Sequence, residues 1–192
     1  MSTPSRMKTV MNMVMCCGML MTSYCYPNDL DILSMCTIPL LIYCVIDIRG
    51  NSWDMVIHHI STLFAGLAMN YTYVDRDIDT ATIVAKNLIL TEISTVFLDL
   101  IHLGYRNLLI KLGFAITFTY FRAIRLPWVM VYDSDTCYFC IDSKDYVCGT
   151  NDLCHILWSV GVFNLLMLNT MWYGRLITKI LKKNNPKPTI KE

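Results

Sequence analysis

The side chains best suited to chemistry in this chain are two adjacent histidines, His58 and His59, with Asp54 four residues before His58. An imidazole can act as a general base or as a nucleophile near neutral pH. On a helix, a carboxylate four residues earlier can accept a hydrogen bond from His58 and fix its tautomer. The spacing therefore predicts a site in which Asp54 orients one imidazole of the pair.

A second polar group lies in the next apolar segment. At about 100° per residue, its members fall within about 80° of one another on one helical face. These side chains are Glu92, Thr95, Asp99 and His102. The segment after that carries Arg122 and Arg125. Helical rise places Glu92 about 17 Å and Arg122 about 20 Å from the same end of their helices, so we expect the two to pair.

The segments around these residues are apolar enough to lie in a membrane. The chain has 192 residues, of which 55% are hydrophobic and only 16% charged, and its mean hydropathy is +0.44. Ionisable groups in such segments are expensive to insert, so they mark a functional site or a helix-to-helix contact. A net charge of +1 with no basic stripe argues against binding of nucleic acid.

Hydropathy predicts an all-α fold, a polytopic transmembrane helical bundle with about six spans. The predicted spans are residues 10–26, 30–48, 53–73, 80–103, 108–132 and 153–180. The first could instead be a signal peptide, but no clear small-residue cleavage site precedes Pro27, which favours an uncleaved helix.

The basic residues orient the predicted spans. With the N-terminus in the cytosol, eleven Lys and Arg residues fall on the cytosolic side and only two, Arg76 and Lys144, on the other. Both termini are therefore expected in the cytosol. Residues 1–9 form the cytosolic N-terminus, 10–181 the transmembrane domain and 182–192 a disordered cytosolic tail. Homo-oligomerisation is left open.

Four of the nine cysteines lie in or beside one polar segment on the predicted non-cytosolic side. They are Cys137, Cys140, Cys148 and Cys154. One or two disulfides are favoured there because that side is oxidising. The CxxC spacing, with His155 nearby, leaves zinc as the alternative. No metal or organic cofactor is expected at the histidine pair.

Four short segments resemble the TLC domain, which ceramide synthases share with several other lipid-handling membrane proteins. Residues 54–63 (DMVIHHISTL) resemble its histidine-pair motif, and residues 90–98 (LTEISTVFL) resemble the "ELSTPF" signature of small TLC-domain proteins. Residues 121–127 (FRAIRLP) resemble its arginine segment, and residues 168–173 (LNTMWY) its last helix. Together the motifs cover about residues 40–183.

The resemblance implies a membrane bundle of the endoplasmic reticulum that encloses a cavity accessible to lipid. It places His58 and His59 in the position of the acyl-transfer histidines, which the family combines with acidic residues on a following helix. In an acyltransferase, Asp54 or Asp99 would orient one of the two imidazoles. Ceramide synthases continue with a His-Asp-x-x-Asp pattern where this chain has Thr91-Glu-Ile-Ser-Thr. The chain is therefore more similar to the non-synthase branch, whose roles include lipid sensing, trafficking and membrane lipid homeostasis.

Three classes of function follow. The favoured one is binding, sensing or transport of a sphingolipid or phospholipid, with Glu92, Thr95, His102, Arg122 and Arg125 around the lipid. The alternative is an acyl-CoA-dependent N-acyltransferase that uses His58 and His59, with acyl-CoA as a substrate. The third is a structural or assembly protein that has no ligand.

Overall fold

The computed structural model describes residues 6–48, 52–70, 78–132 and 152–184. These residues form six helices. They are α1 (Arg6–Cys25), α2 (Leu30–Asp47), α3 (Trp53–Asn70), α4 (Ile78–His102), α5 (Leu108–Thr117) and α6 (Asp152–Asn184). α5 continues into two π-helical segments, π1 (Phe118–Arg125) and π2 (Trp128–Tyr132). The all-α prediction is confirmed for the described part of the chain.

The helices follow the predicted spans closely, with differences at their ends. α1 begins at Arg6, inside the segment predicted as the cytosolic N-terminus. α6 extends to Asn184, inside the segment predicted as a disordered tail. Helical backbone therefore continues past the apolar residues that defined the predicted spans. Residues 71–77 and 133–151, with Cys137, Cys140 and Cys148, lie outside the described residues.

Local side chains fix where several helices begin and end. Asp29 caps α2 by accepting the backbone N–H of Ile32 at 3.0 Å, and Asn107 caps α5 by accepting that of Ile110 at 2.9 Å. α4 ends at His102, and Gly104, two residues later, has φ +105°. The backbone N–H of Tyr105 donates there to the carbonyl of Leu100 at 3.0 Å, which closes a Schellman turn that favours glycine.

The six helices pack as a closed ring. In order around the ring, the neighbours are α1, α2, α3, α6, α5 with π1, and α4, which returns to α1. The closest approach joins α3 to α6. A Cβ on Gly161 of α6 would lie 2.8 Å from the carbonyl oxygen of Ser61 and 2.9 Å from the backbone nitrogen of Ala65. Small residues permit this backbone contact, as they do in membrane bundles.

The two ends of the ring differ in packing. We call the end at which α1 begins the Arg6 end. The apolar core occupies the other end, where Leu33, Met130 and Trp158 are fully buried. At the Arg6 end the ring surrounds a cavity instead. The cavity lies at this end because the polar side chains that line it belong to the parts of the helices nearest the Arg6 end.

The outer surface carries apolar stripes at helical spacing. On α6 the exposed side chains include Ile156, Val160, Phe163 and Met167, and on α2 they include Met35, Ile38 and Ile42. Three of the described helices are long and apolar enough to cross a membrane: α2 over Leu30–Asp47, α4 over Ala81–His102 and α6 over Leu153–Lys179. These stretches and stripes indicate an integral membrane protein.

Candidate functional site in the helix ring

Arg122 occupies the centre of the ring on π1, and its guanidinium is held by several hydrogen bonds. Its side chain is 5% exposed. Nε donates to Ser94 Oγ at 2.8 Å and Nη2 to Thr95 Oγ1 at 2.8 Å. Nη1 lies 3.4 Å from Asn169 Oδ1 of α6. Because these partners come from α4 and α6, the arginine ties the three neighbouring helices together.

Glu92 is the counter-charge of Arg122, with Oε1 at 3.3 Å from Nη2. The pairing predicted from helix depth is confirmed. The other carboxylate oxygen, Oε2, accepts a hydrogen bond from the thiol of Cys16 at 3.6 Å. Both charges are thus paired inside the ring, which offsets the desolvation of each.

The π-helical backbone sets the position of Arg122. In π1 the backbone N–H of Leu126 donates to the carbonyl of Phe121, five residues earlier. Pro127 follows directly and has no N–H to continue a regular α-helical ladder. The wider turn rotates the side chains that follow, so Arg122 is buried while Arg125 is exposed.

His58 and His59 lie side by side on α3, with ring centroids 5.8 Å apart. The Nδ1 atoms of both rings are buried, and neither has a hydrogen-bond partner among the described residues. The second ring contact of His58 is the indole of Trp172 at 5.2 Å. Both imidazoles line the cavity, so each presents a polar ring to it.

The predicted hydrogen bond between Asp54 and His58 is not formed. Asp54 Oδ2 accepts instead from the indole Nε1 of Trp172 at 3.2 Å and from Arg175 at 2.8 Å. Asp54 does not line the cavity. The interpretation failed because spacing along α3 could not show that α6 presents an indole and a guanidinium to the same carboxylate.

His59 has a carboxylate neighbour that the sequence interpretation missed. Its Nε2 lies 3.9 Å from Oδ2 of Asp47, at the end of α2, and its ring packs edge-on against Tyr43. Asp47 is only 6% exposed and pairs with Lys8 at 2.7 Å. An ionisable residue inside the predicted second span was the available signal, but its place at the end of that span made it look interfacial.

Asp99 lies on the cavity wall and is 6% exposed. Its Oδ2 accepts a hydrogen bond from the side-chain amide of Asn12 on α1 at 2.9 Å. Asn12 was also missed, because an amide in an apolar segment attracts less notice than a charge does. Asp99 and the histidine pair thus line the same cavity, and α1 contributes to its wall.

The cavity at the Arg6 end has a volume of about 420 Å³. All six helices contribute to its wall. Of the residues predicted for the site, it brings together His58, His59, Glu92, Thr95, Asp99, His102 and Arg122. Arg125 lies apart, where it donates to Asn87, and does not line the cavity.

A smaller apolar pocket of about 70 Å³ adjoins the cavity towards the packed end of the ring. The two share Leu40, His58, Thr62, Glu92 and Arg122 as lining residues. Beyond this shared level the wall is mainly apolar, with Ala65, Ala85, Leu126 and Leu165 among its residues. The combined space is thus polar at one end and apolar at the other.

The described residues contain no group of three His, Cys, Asp or Glu side chains that could hold a metal ion. Cys154 is disulfide-bonded, which confirms the disulfide prediction at that residue. The five cysteines of α1 and α2 are free.

Searches of family models, of curated protein sequences and of solved structures found no match to this chain.

Proposed function

We propose that the chain is a TLC-domain-type membrane protein that binds a lipid in the cavity of its helix ring, and so senses or transports that lipid. The observation that carries this proposal is a two-part space, in which a cavity with polar side chains shares wall residues with an adjoining, mainly apolar pocket. Its larger part falls within the volume range of small-molecule sites, about 300 to 1,000 Å³. A headgroup would contact His58, His59 and Asp99, and an acyl chain would extend between Ala85 and Leu165.

The charge balance of the cavity supports a polar headgroup with donors and acceptors more than a strongly anionic one. Arg122 is the buried cation of the wall, and Glu92 and four neutral acceptors already hold it. A phosphate would have to compete with these bonds. The imidazoles of His58 and His59 also line the cavity, and rotation of either ring would bring its unpartnered Nδ1 to a ligand.

The experiment that tests lipid binding is mass spectrometry of lipids that copurify with the protein in mild detergent. The wild type is expected to retain lipid at a defined stoichiometry, and His58→Ala/His59→Ala to retain about tenfold less, because two polar contacts are removed. His155→Ala, at the other end of the ring, is the matched control. Equal retention in the wild type and the double variant would reject the site and favour a structural role.

Acyl transfer is the second candidate, and the two adjacent imidazoles that line the cavity favour it. In this reaction the amine nitrogen of a long-chain base attacks the thioester carbonyl of an acyl-CoA. The amide C–N bond forms, the C–S bond breaks, and one imidazole transfers the proton of the amine to the leaving thiolate. Asp54 would not orient that imidazole directly, because it bonds Trp172 and Arg175.

Incubation of the purified protein with acyl-CoA and a long-chain base distinguishes the two candidates. An N-acyl product that disappears in His58→Ala/His59→Ala supports transfer. Retained lipid without product supports binding alone.

We further propose six membrane spans, with the Arg6 end facing the cytosol and residence in the endoplasmic reticulum. The ring supports six spans, because α1, α3 and α5 pack beside α2, α4 and α6, the three helices that are apolar enough to cross a membrane. The bias of eleven basic residues to two supports the orientation. Protease protection of terminal epitope tags in sealed microsomes tests it, since cytosolic termini are digested and lumenal ones are protected.

A further inference from the structure

Three side chains of α1 donate one hydrogen bond each to a different carboxylate at the cavity. Lys8 Nζ donates to Asp47 at 2.7 Å, Asn12 Nδ2 to Asp99 at 2.9 Å, and Cys16 Sγ to Glu92 at 3.6 Å. We call these three pairs the donor ladder. The donors are spaced four residues apart, so they lie on one helical face at levels about 6 Å apart.

The carboxylates of the ladder come from two other helices, Asp47 from α2 and both Glu92 and Asp99 from α4. All three line the cavity. In each, one oxygen is bonded to α1. In two of them the second oxygen points to a residue of the site. Glu92 Oε1 meets Arg122, and Asp47 Oδ2 lies 3.9 Å from His59.

Asp99 differs from the other two carboxylates. In the part of the chain that the structure describes, Asn12 is its hydrogen-bond donor, through Oδ2, and its Oδ1 accepts no hydrogen bond. The residue is only 6% exposed, and it lines the same cavity as His58 and His59. His59, itself 4% exposed, carries an unpartnered Nδ1 in the same wall. Oδ1 is not among the buried polar atoms that lack a partner, so it is accessible from the cavity, where a ligand can supply the donor.

We propose that α1 is the positioning helix of the cavity: its donor ladder fixes three carboxylates and leaves Asp99 Oδ1 as the acceptor for a hydrogen-bond donor on the ligand. Lys8, Asn12 and Cys16 are then positioning residues that act through Asp47, Asp99 and Glu92. The ladder is independent of the proposed function, whereas the ligand role of Asp99 rests on it.

An exchange of the two side chains in the middle pair tests both parts. Asn12→Asp places two carboxylates against each other, and Asp99→Asn leaves two amides. In the double variant, α1 supplies the carboxylate and α4 the amide, so the bond is restored in reverse. Both positions line the cavity, so the exchange moves the carboxylate from α4 to α1 and leaves an amide at position 99.

The thermal unfolding midpoint tests the donor ladder. Labelling by a diazirine-bearing long-chain alcohol in phosphatidylcholine nanodiscs tests the ligand role of Asp99. Asn12→Asp is expected to lower the midpoint by about 5 °C, and the double variant to restore it. Labelling of the double variant is expected to remain about tenfold below wild type, because a carboxylate accepts a hydrogen bond more strongly than an amide. Met11→Leu, on the outer face of α1, is the control and should change neither.

Other outcomes overturn a defined part of the proposal. A midpoint that the double variant does not restore overturns the ladder. If midpoint and labelling are both restored, or if the wild type takes up no probe, Asp99 is not the acceptor and the pair is only structural. Lipid that copurifies with the wild type while the probe does not label it leaves the proposed function standing and rejects the role of Asp99.

Discussion

The indole N–H of Trp172 donates to Oδ2 of Asp54 at 3.2 Å, and the same ring packs 5.2 Å from the imidazole of His58. Asp54 therefore influences the histidine pair through an aromatic side chain on another helix. The carboxylate fixes the indole, and the indole limits the rotation of His58. Arg175 holds the second hydrogen bond to this carboxylate at 2.8 Å but is itself largely exposed.

Trp172→Leu is expected to release His58, since it removes both the hydrogen bond to Asp54 and the ring packing. The loss of the hydrogen bond alone destabilises by about 1 kcal/mol. Selective isotope labelling of histidine measures the effect, as a shift and broadening of the His58 ring signals in the NMR spectrum. Arg175→Gln is the control, because the bond between Trp172 and Asp54 remains. Unchanged His58 signals in Trp172→Leu would show that the indole does not restrain the imidazole.

Arg122→Met is expected to destabilise the ring by about 3 to 5 kcal/mol, because Glu92 is then a buried charge without a partner. Adding Glu92→Gln to Arg122→Met removes that charge and should recover part of the loss. Thermal unfolding in detergent compares the single and double variants. If Arg122→Met/Glu92→Gln is no more stable than Arg122→Met, the pair does not carry the electrostatic role assigned to it.

Gly161→Ala is expected to push α6 away from α3 and to destabilise by about 1 to 3 kcal/mol, as overpacking does. The new Cβ would meet the backbone of Ser61 and Ala65 at under 3.0 Å, and backbone cannot turn aside as a side chain can. Gly174→Ala on the same helix is a matched control, since nothing lies within 4 Å of its Cβ position. Equal unfolding midpoints for the two variants would contradict the close approach of α3 and α6.

Two substitutions in the apolar pocket are expected to change the length of the bound acyl chain in opposite directions. Ala85→Val narrows the pocket and should favour shorter chains, whereas Leu165→Ala widens it and should favour longer ones. Both variants lose stability, Leu165→Ala by about 2 to 5 kcal/mol, so only the direction of the change is informative. Mass spectrometry of copurified lipid gives the chain lengths. An identical lipid profile in both variants would place the acyl chain elsewhere.

Sequence reasoning succeeded where one physical rule determined the outcome. Apolar length alone predicted the helices, because each must bury or expose a continuous apolar face. The contact between Glu92 and Arg122 followed from helical rise, which gives depth without knowledge of the neighbours. Helical rise does not predict the π-helical turn of π1, which has no clear mark in the sequence. Arg125 was therefore expected beside the lipid, but it does not line the cavity.

Contacts that depend on helix order were beyond the sequence. Asp54 was assigned to His58 because both lie on α3, but the ring places α6 beside α3 and gives the carboxylate two better donors. Asp47 and Asn12 were overlooked for a related reason. Each has its hydrogen-bond partner on a different helix: Asp47 is bonded to Lys8, and Asn12 is bonded to Asp99.

The order of helices in the ring also determines the order in which this protein can be assembled. α1 is synthesised first, yet the partners of Asn12 and Cys16 lie on α4, more than seventy residues later in the chain. α3 likewise has its closest contact with α6, the last helix. Until α4 and α6 have been synthesised, the ring therefore cannot close, and the polar side chains of α1 lack their hydrogen-bond partners. A truncation before residue 92 would leave an open half-ring that lacks the partners of both Asn12 and Cys16.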